Sequence, residues 1–183
     1  MQHKGTNTVE TLRLVLRRFR IEDAKAMYQN WASDMEVCKY LSWGPHPNEA
    51  ASRARIKYWI SRYGEMNFYQ WAIVLKDQNM PIGSISVEIS NERTASCEIG
   101  YCIGRDYWNR GIMTEAVRAI MHYLFYDIEY IMIQAKHDVL NVASGKVMKK
   151  VGMMYVKNEV NVGIRRDGTH YDVAVYQKYI DTD

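Results

Sequence analysis

The sequence predicts an α+β domain built on a mixed, mostly antiparallel sheet, with a central β-α-β crossover and about four flanking helices. Three observations carry that expectation. Short segments of period-2 apolar alternation recur along the chain, the pattern of half-buried strands. A long i, i+3, i+4, i+7 apolar stripe starts just after Gly111, the pattern of a helix packed on a core. The segments follow the order β α α β β β α β α β β, so a helix joins two strands in the middle of the chain. A helical crossover of that kind makes its two strands parallel.

Each element has its own signal. Leu12, Leu14 and Leu16 alternate with Arg13, Val15 and Arg17, giving a first strand. Residues 21–32 read as a helix with Glu22 and Asp23 in its opening turn, where acids oppose the helix dipole. Residues 47–63 read as a second helix: Pro47 suits its start, Glu49 its first turn, and Ile56, Trp59, Ile60 and Tyr63 its apolar stripe. Gly64 suits its end. Residues 68–75 and 82–89 form a hairpin around the turn KDQNMP, and residues 95–103 add a third strand to that meander. The helix after Gly111 carries Met113, Ala116, Val117, Ile120, Met121 and Leu124 on one face and reaches about residue 126. A short strand follows at 131–135, then a helix at 141–151 capped by Asn141 and stopped by Gly152. Residues 153–165 and 169–179 close the chain as two long strands around a turn at Arg166-Asp167-Gly168.

Composition bounds the class. The 183 residues are 48% hydrophobic and 25% charged, enough for one sizeable core, and no linker-like stretch divides them. One domain over 1–183 is expected, with residues 1–8 as a flexible tail. A net charge of +3 is too small to argue for nucleic acid, and no direct nucleic-acid binding is expected. Cys38, Cys97 and Cys102 form no CxxC pair and are odd in number, which suits a reducing cytoplasm. No apolar run approaches the roughly 18 residues of a membrane span, and the N-terminal stretch has no apolar signal core.

The stretch YWNRGIMTEA, residues 107–116, is the most informative in the chain. The first turn of a helix leaves its N–H groups unpaired and carries partial positive charge. A glycine just before it lets a ligand approach those groups, and phosphate is the usual guest. The dinucleotide pattern GxGxxG is absent: Gly100 and Gly104 lie upstream at the wrong spacing. The pattern GxxxxGK[ST] is absent too. On spacing alone, an anion cradle and an ordinary strand-to-helix loop stand level.

The same stretch resembles motif A of the GNAT acetyltransferases, Q/R-x-x-G-x-G/A, which holds the pyrophosphate of coenzyme A on backbone N–H groups. Trp108 stands at the Q/R place, Gly111 at the central glycine and Met113 at the final G/A, so two of three positions depart from the broad pattern. The form with Trp, Gly and Thr-Glu-Ala is similar to that of the ribosomal-protein N-acetyltransferase (RimJ/RimL-like) branch. TLRLVLRRFRIEDA from Thr11, CEIGYCI from Cys97, NVASGKVMKKVGM from Asn141 and HYDVAVY from His170 resemble further family segments in the same order. The likeness runs over about residues 9–180.

The resemblance implies a GNAT-like sheet with splayed parallel strands, 97–103 and 131–135, and acetyl-CoA between them as cosubstrate. Backbone groups near Cys102 and Ile103 would meet the pantetheine arm. Trp108, Asn109, Arg110, Gly111, Ile112, Met113 and Thr114 would form the pyrophosphate cradle. Asn141 would touch the arm and Ser144 would sit near the sulfur as a proton donor. Residue chemistry alone makes Asn141 a helix cap and Ser144 an ordinary first-turn residue, and the cap is compatible with a ligand contact.

Acetyl transfer from a thioester needs a neutral amine, a stabilised oxyanion and a proton for the leaving thiolate. Strand alternation groups Glu98 with Gly100 and Cys102, which makes Glu98 the candidate general base; a salt-bridged strand carboxylate is the equal alternative. Glu159 is a further acid on the later strands. His46, His122, His137 and His170 show no ligand spacing, so no metal is expected. Arg17, Arg18, Arg20, Arg165 and Arg166 read as solvated edges or as a positive rim. Trp31, Trp43, Trp59 and Trp71 read as core or as walls of an acceptor cleft. The acceptor is expected to be a primary amine: a protein N-terminus, ribosomal by the resemblance, or a small molecule such as a polyamine, amino sugar or antibiotic. A non-catalytic acyl-CoA sensor and a ribosomal RNA-binding domain are the rivals from other classes, and a homodimer is compatible with all of these.

Overall fold

The computed structural model of the chain describes residues 1–165 and 168–181. Eight strands make one sheet: β1 (Val9–Glu10), β2 (Leu14–Arg17), β3 (Gln70–Leu75), β4 (Met80–Asn91), β5 (Ser96–Ile103), β6 (Met132–Asp138), β7 (Met154–Ile164) and β8 (His170–Tyr179). Their order is β1-β2-β3-β4-β5-β6-β8-β7. All neighbours pair antiparallel except β5 and β6, which are parallel. The α-helices are α1 (Ala24–Met27), α2 (Met35–Cys38), α3 (Glu49–Arg62), α4 (Ile112–His122) and α5 (Val142–Lys150).

Two apolar cores lie on opposite faces of this sheet. One joins Cys97, Ile99 and Ile103 of β5 with Ile112, Met113, Ala116, Val117 and Ile120 of α4 and Met148 of α5. The other gathers Phe19, Ala24, Met27, Trp31, Val37 and Ile56 against Ala72 and Val74 of β3. Alternation along β5 therefore sends Tyr101 to the α4 side and Cys102 to the α1–α3 side, where each packs as a partly buried residue. Burying six side chains of α4 at about 1–3 kcal/mol each holds its N-terminus firmly against the end of β5.

The expected mixed sheet, crossover and splayed strands are all present, with differences in detail. The first helical segment is a 3₁₀ turn (Ile21–Asp23), α1 and a π turn (Tyr28–Ala32) in succession. The second helix starts at Glu49, because Asn48 rather than Pro47 caps it: Asn48 Oδ1 accepts the Ala51 N–H at 3.0 Å. Ile60, assigned to its apolar stripe, is 41% exposed, while Ser52 and Ile56 are fully buried. Ile60 lies at the rim of a stripe centred between Ile56 and Trp59. Strand β1 and helix α2 are additional elements.

The N-terminal segment is not a free tail. Gly5 donates its N–H to Met66 O at 2.7 Å, and Thr6 Oγ1 donates to Phe68 O at 3.0 Å. Asn7 O accepts the buried Trp71 indole N–H at 2.7 Å. Polar residues with little apolar content look like a tail in sequence, yet here they satisfy buried donors of the sheet. The turn assigned to Arg166-Asp167-Gly168 has Arg166 and Asp167 outside the described residues.

Candidate active site

The parallel pairing of β5 and β6 is short. It joins Ser96 to Met132, Cys97 to Ile133 and Glu98 to Gln134, and then stops, although β5 continues to Ile103 and β6 to Asp138. The two strands part beyond Glu98 and open a V. Gly104 donates its N–H to Ile82 O at 2.8 Å. By antiparallel alternation, Cys102 and Gly100 spend their backbone groups on β4, and those of Ile99, Tyr101 and Ile103 turn towards the V. Ile103 O is already used, accepting the Trp108 indole N–H at 3.0 Å. A strand edge with free N–H groups is left facing the opening.

The cradle closes one end of it. Asn109 (φ +59°) and Gly111 (φ +72°) both take the left-handed backbone conformation that turns the chain into α4. No side chain caps this helix, so its first N–H groups remain open to a ligand. Glu115, the acid of that turn, is directed away from them. It accepts from Thr11 Oγ1 at 2.6 Å, from the Arg13 N–H at 3.0 Å and from Arg13 Nε at 2.7 Å. Burial pushes its carboxyl up, but these hydrogen bonds and the Arg13 charge outweigh it and leave it below the ordinary carboxylate value.

Helix α5 forms the third side. Asn141 caps it, with Oδ1 accepting the Ser144 N–H at 3.3 Å. The Tyr101 hydroxyl reaches across to α5 and lies 3.0 Å from Ser144 Oγ and 3.2 Å from Ser144 O. Burial holds the Tyr101 hydroxyl above the ordinary tyrosine value, so it stays protonated.

A cleft of about 490 Å³ connects these parts. Cys102, Ile103, Trp108, Asn109, Gly111, Ile112, Met113, Thr114, Asn141 and Ser144 all line it. Arg110 does not; its guanidinium sits over the Tyr107 ring and its carbonyl accepts from Arg13 at 3.0 Å. Glu98 is also outside the lining. It lies at the closed end of the V, where Oε2 accepts from Gln134 Nε2 at 2.8 Å and lies 3.4 Å from Lys136 Nζ. Lys136 also pairs with Glu159 at 3.1 Å, so one cation joins both carboxylates named as candidates. Tyr101, Glu36, Tyr40, Leu41, Lys146 and Lys150 line the cleft without having been singled out in the sequence. The i, i+4 spacing of Lys146 and Lys150 was a readable signal for a basic helix face; the reach of Tyr101 was not.

The fit to a long, phosphate-bearing thioester is physical: unpaired strand N–H groups, an uncapped helix start and lysines border one continuous cleft. Trp31 and Trp71 are core; Trp43 and Trp59 pack half-buried beside the second core. No helix among the described residues is long and apolar enough to cross a membrane.

Residues 13–154 match the family model described as "Acetyltransferase (GNAT) domain". The chain is similar to the uncharacterized N-acetyltransferase p20 of Bacillus licheniformis, 32% identical over 79% of this chain and 80% of that protein. It is 26% identical to the putative ribosomal N-acetyltransferase YdaF of Bacillus subtilis over 91% of this chain and 88% of the relative. Among solved structures, RimL, a ribosomal alpha-N-protein acetyltransferase in complex with coenzyme A, superposes with a TM-score of 0.83 at 20% identity, covering 97% of this chain and 100% of the other.

Proposed function

The chain belongs to the GNAT acetyltransferase family, and on that footing we propose that it transfers an acetyl group from acetyl-CoA to the N-terminal amine of a protein, a ribosomal one by its likeness to YdaF, by direct attack in a ternary complex. One observation carries the transfer: the left-handed Gly111 turn, the unpaired edge of β5 and Ser144 all meet in a single cleft. Acetyl-CoA supplies the activated thioester carbonyl. The N–H groups of Gly111, Ile112, Met113 and Thr114 hold phosphate, with Trp108 and Asn109 shaping the turn. The free N–H groups beside Cys102 pair with the amide arm and polarise the thioester carbonyl. Asn141 keeps the start of α5 in place. Ser144, oriented by Tyr101, gives the departing sulfur a proton. A carboxylate beside β5, on the face opposite α4, accepts the proton of the amine, and Glu98 is one of the acids on that face.

Direct attack is favoured over a covalent acetyl-enzyme because the cleft's thiol is a poor nucleophile. Burial pushes Cys102 up to about 11, so it is protonated at neutral pH. Free cysteines also suit the cytoplasm, which we take as the compartment.

The test is release of free thiol from acetyl-CoA against a panel of N-terminal peptides, lysine peptides, polyamines, amino sugars and aminoglycosides. The expected result is turnover with peptides whose α-amine is free, intersecting initial-rate lines, and a loss of about tenfold or more in kcat for Ser144→Ala. Turnover confined to small amines would move the acceptor to that class. Parallel lines with an isolable acetyl-protein would overturn direct attack. Binding of acetyl-CoA with no turnover on any amine would favour an acyl-CoA sensor.

A further inference from the structure

Two carboxylates stand beside β5 on the face opposite α4, and their surroundings differ. Glu98 is matched: Gln134 Nε2 donates to it, Lys136 pairs with it, and Gln177 Nε2 fixes Gln134 in turn at 2.8 Å. Its side chain is 19% exposed. Glu88, on β4, is exposed, and among the described residues no cation lies within ion-pair distance of it. The register of β4 against β5 shifts between Val87 and Ile89, and that irregularity places Glu88 over the neighbouring strand. Gly100 makes the room. A β-carbon there would stand 2.9 Å from Glu88 Oε1 and 3.0 Å from its Cγ. The Ser86 hydroxyl donates to Glu88 Oε1. The Glu88 charge also acts on Cys102, where it adds to the effect of burial in keeping the thiol protonated.

Gly100 and Cys102 belong to the part of β5 that has left β6. Neither acid lines the cleft itself, but Glu88 is set over the open run of the strand at Gly100, whereas Glu98 marks the point where the strands close. On the α4 face of that run Tyr101 and Ser144 line the cleft that would hold the thioester arm, and Glu88 is the acid that an amine approaching from the opposite face of β5 would meet.

We propose that Glu88 is the catalytic residue that accepts the proton of the attacking amine, and that Glu98 serves the wall of the sheet through its ion pair with Lys136; this rests on the acetyl-transfer reading above. The amine nitrogen bonds to the thioester carbonyl carbon and the carbon–sulfur bond breaks. The proton lost from nitrogen goes to Glu88, and the sulfur, leaving with the electron pair, takes a proton from Ser144. Exposure lets Glu88 return its proton to water and lets Ser144 be reprotonated through the cleft.

The experiment compares wild type, Glu88→Gln and Glu98→Gln in thiol release with the best amine of the panel, from pH 6 to about 10, with acetyl-CoA affinity measured by calorimetry. Glu88→Ala is assayed with and without added formate. The expected result for Glu88→Gln is a kcat about 100-fold lower near neutral pH, with affinity for acetyl-CoA within about twofold and a deficit that shrinks as pH rises. Formate should restore part of the Glu88→Ala rate, and Glu98→Gln should lose less than about tenfold. Wild-type kcat in Glu88→Gln, an equal loss in Glu98→Gln, or a deficit constant with pH overturns the assignment while acetyl transfer stands. Wild type that binds acetyl-CoA and turns over no amine overturns both.

Discussion

Gly111 shows what one residue contributes at this site. At φ +72° a side chain is strained whatever the space, and the nearest atom to a β-carbon would be Arg13 Nη2 at an ordinary 3.7 Å. The cost of Gly111→Ala is thus conformational rather than steric. It should lower stability by about 1 kcal/mol and weaken acetyl-CoA binding several-fold, as the first turn of α4 relaxes away from the phosphate. Chemical denaturation and calorimetry check the two parts; unchanged affinity would mean that the turn does not hold the ligand. Gly111 was legible in the sequence because a backbone requirement leaves its mark on one position. The pairing of Glu98 with Lys136 was not, since the residues are 38 positions apart and meet only through the parallel register. Glu88 was hidden for a related reason. The polar alternation Ser84, Ser86, Glu88 is visible, but the register shift that carries Glu88 over Gly100 is a property of two strands together.

At the scale of elements, long periodic segments could be read and short capped ones could not. α4 and the strands β3 to β6 stand close to their expected bounds, because each carries enough apolar repeats to fix a period. α2 has four residues held by Asp34, whose Oδ1 accepts the Glu36 N–H at 2.9 Å; such a helix depends on its cap and leaves no stripe. The clasp between the start of β2 and α4 is a tertiary device of the same kind. Glu115 takes three hydrogen bonds from Thr11 and Arg13, with its side chain 21% exposed. Its carboxyl is held below the ordinary value, so its stabilising effect is complete above that value and is lost as pH falls through the lowered one. Glu115→Gln should therefore cost about 1 kcal/mol at pH 7, after allowance for solvent screening, and the gap to wild type should narrow at an acid pH below the lowered value. Urea unfolding at both pH values measures it. A gap that persists in acid would assign the effect to shape rather than charge.

Across the whole molecule, the N-terminal segment ties together parts that the sequence keeps far apart. Gly5 binds Met66 through its N–H, and its carbonyl accepts from the buried Tyr123 hydroxyl at 2.8 Å, just past the end of α4. Thr6 is 2% exposed and stands between Phe68 O and the Gln70 N–H. Asn7 O satisfies the indole of Trp71, a residue with no exposed surface. Without residues 1–8, the Gln70 N–H, the Trp71 indole and the Tyr123 hydroxyl lose partners at places where water enters poorly. Each loss costs about 1 kcal/mol or more. A chain starting at Val9 should lose about 3 kcal/mol, which for this length lowers Tm by roughly 10 °C. None of these residues lines the cleft, so kcat/KM at 25 °C should stay within about twofold of the full chain. Calorimetry and the thiol-release assay on the same preparation separate the two effects. An unchanged Tm would return the segment to the free tail its polar sequence suggests. A lowered Tm with unchanged turnover would establish it as the strap that joins β3 to the end of the helix carrying the cradle.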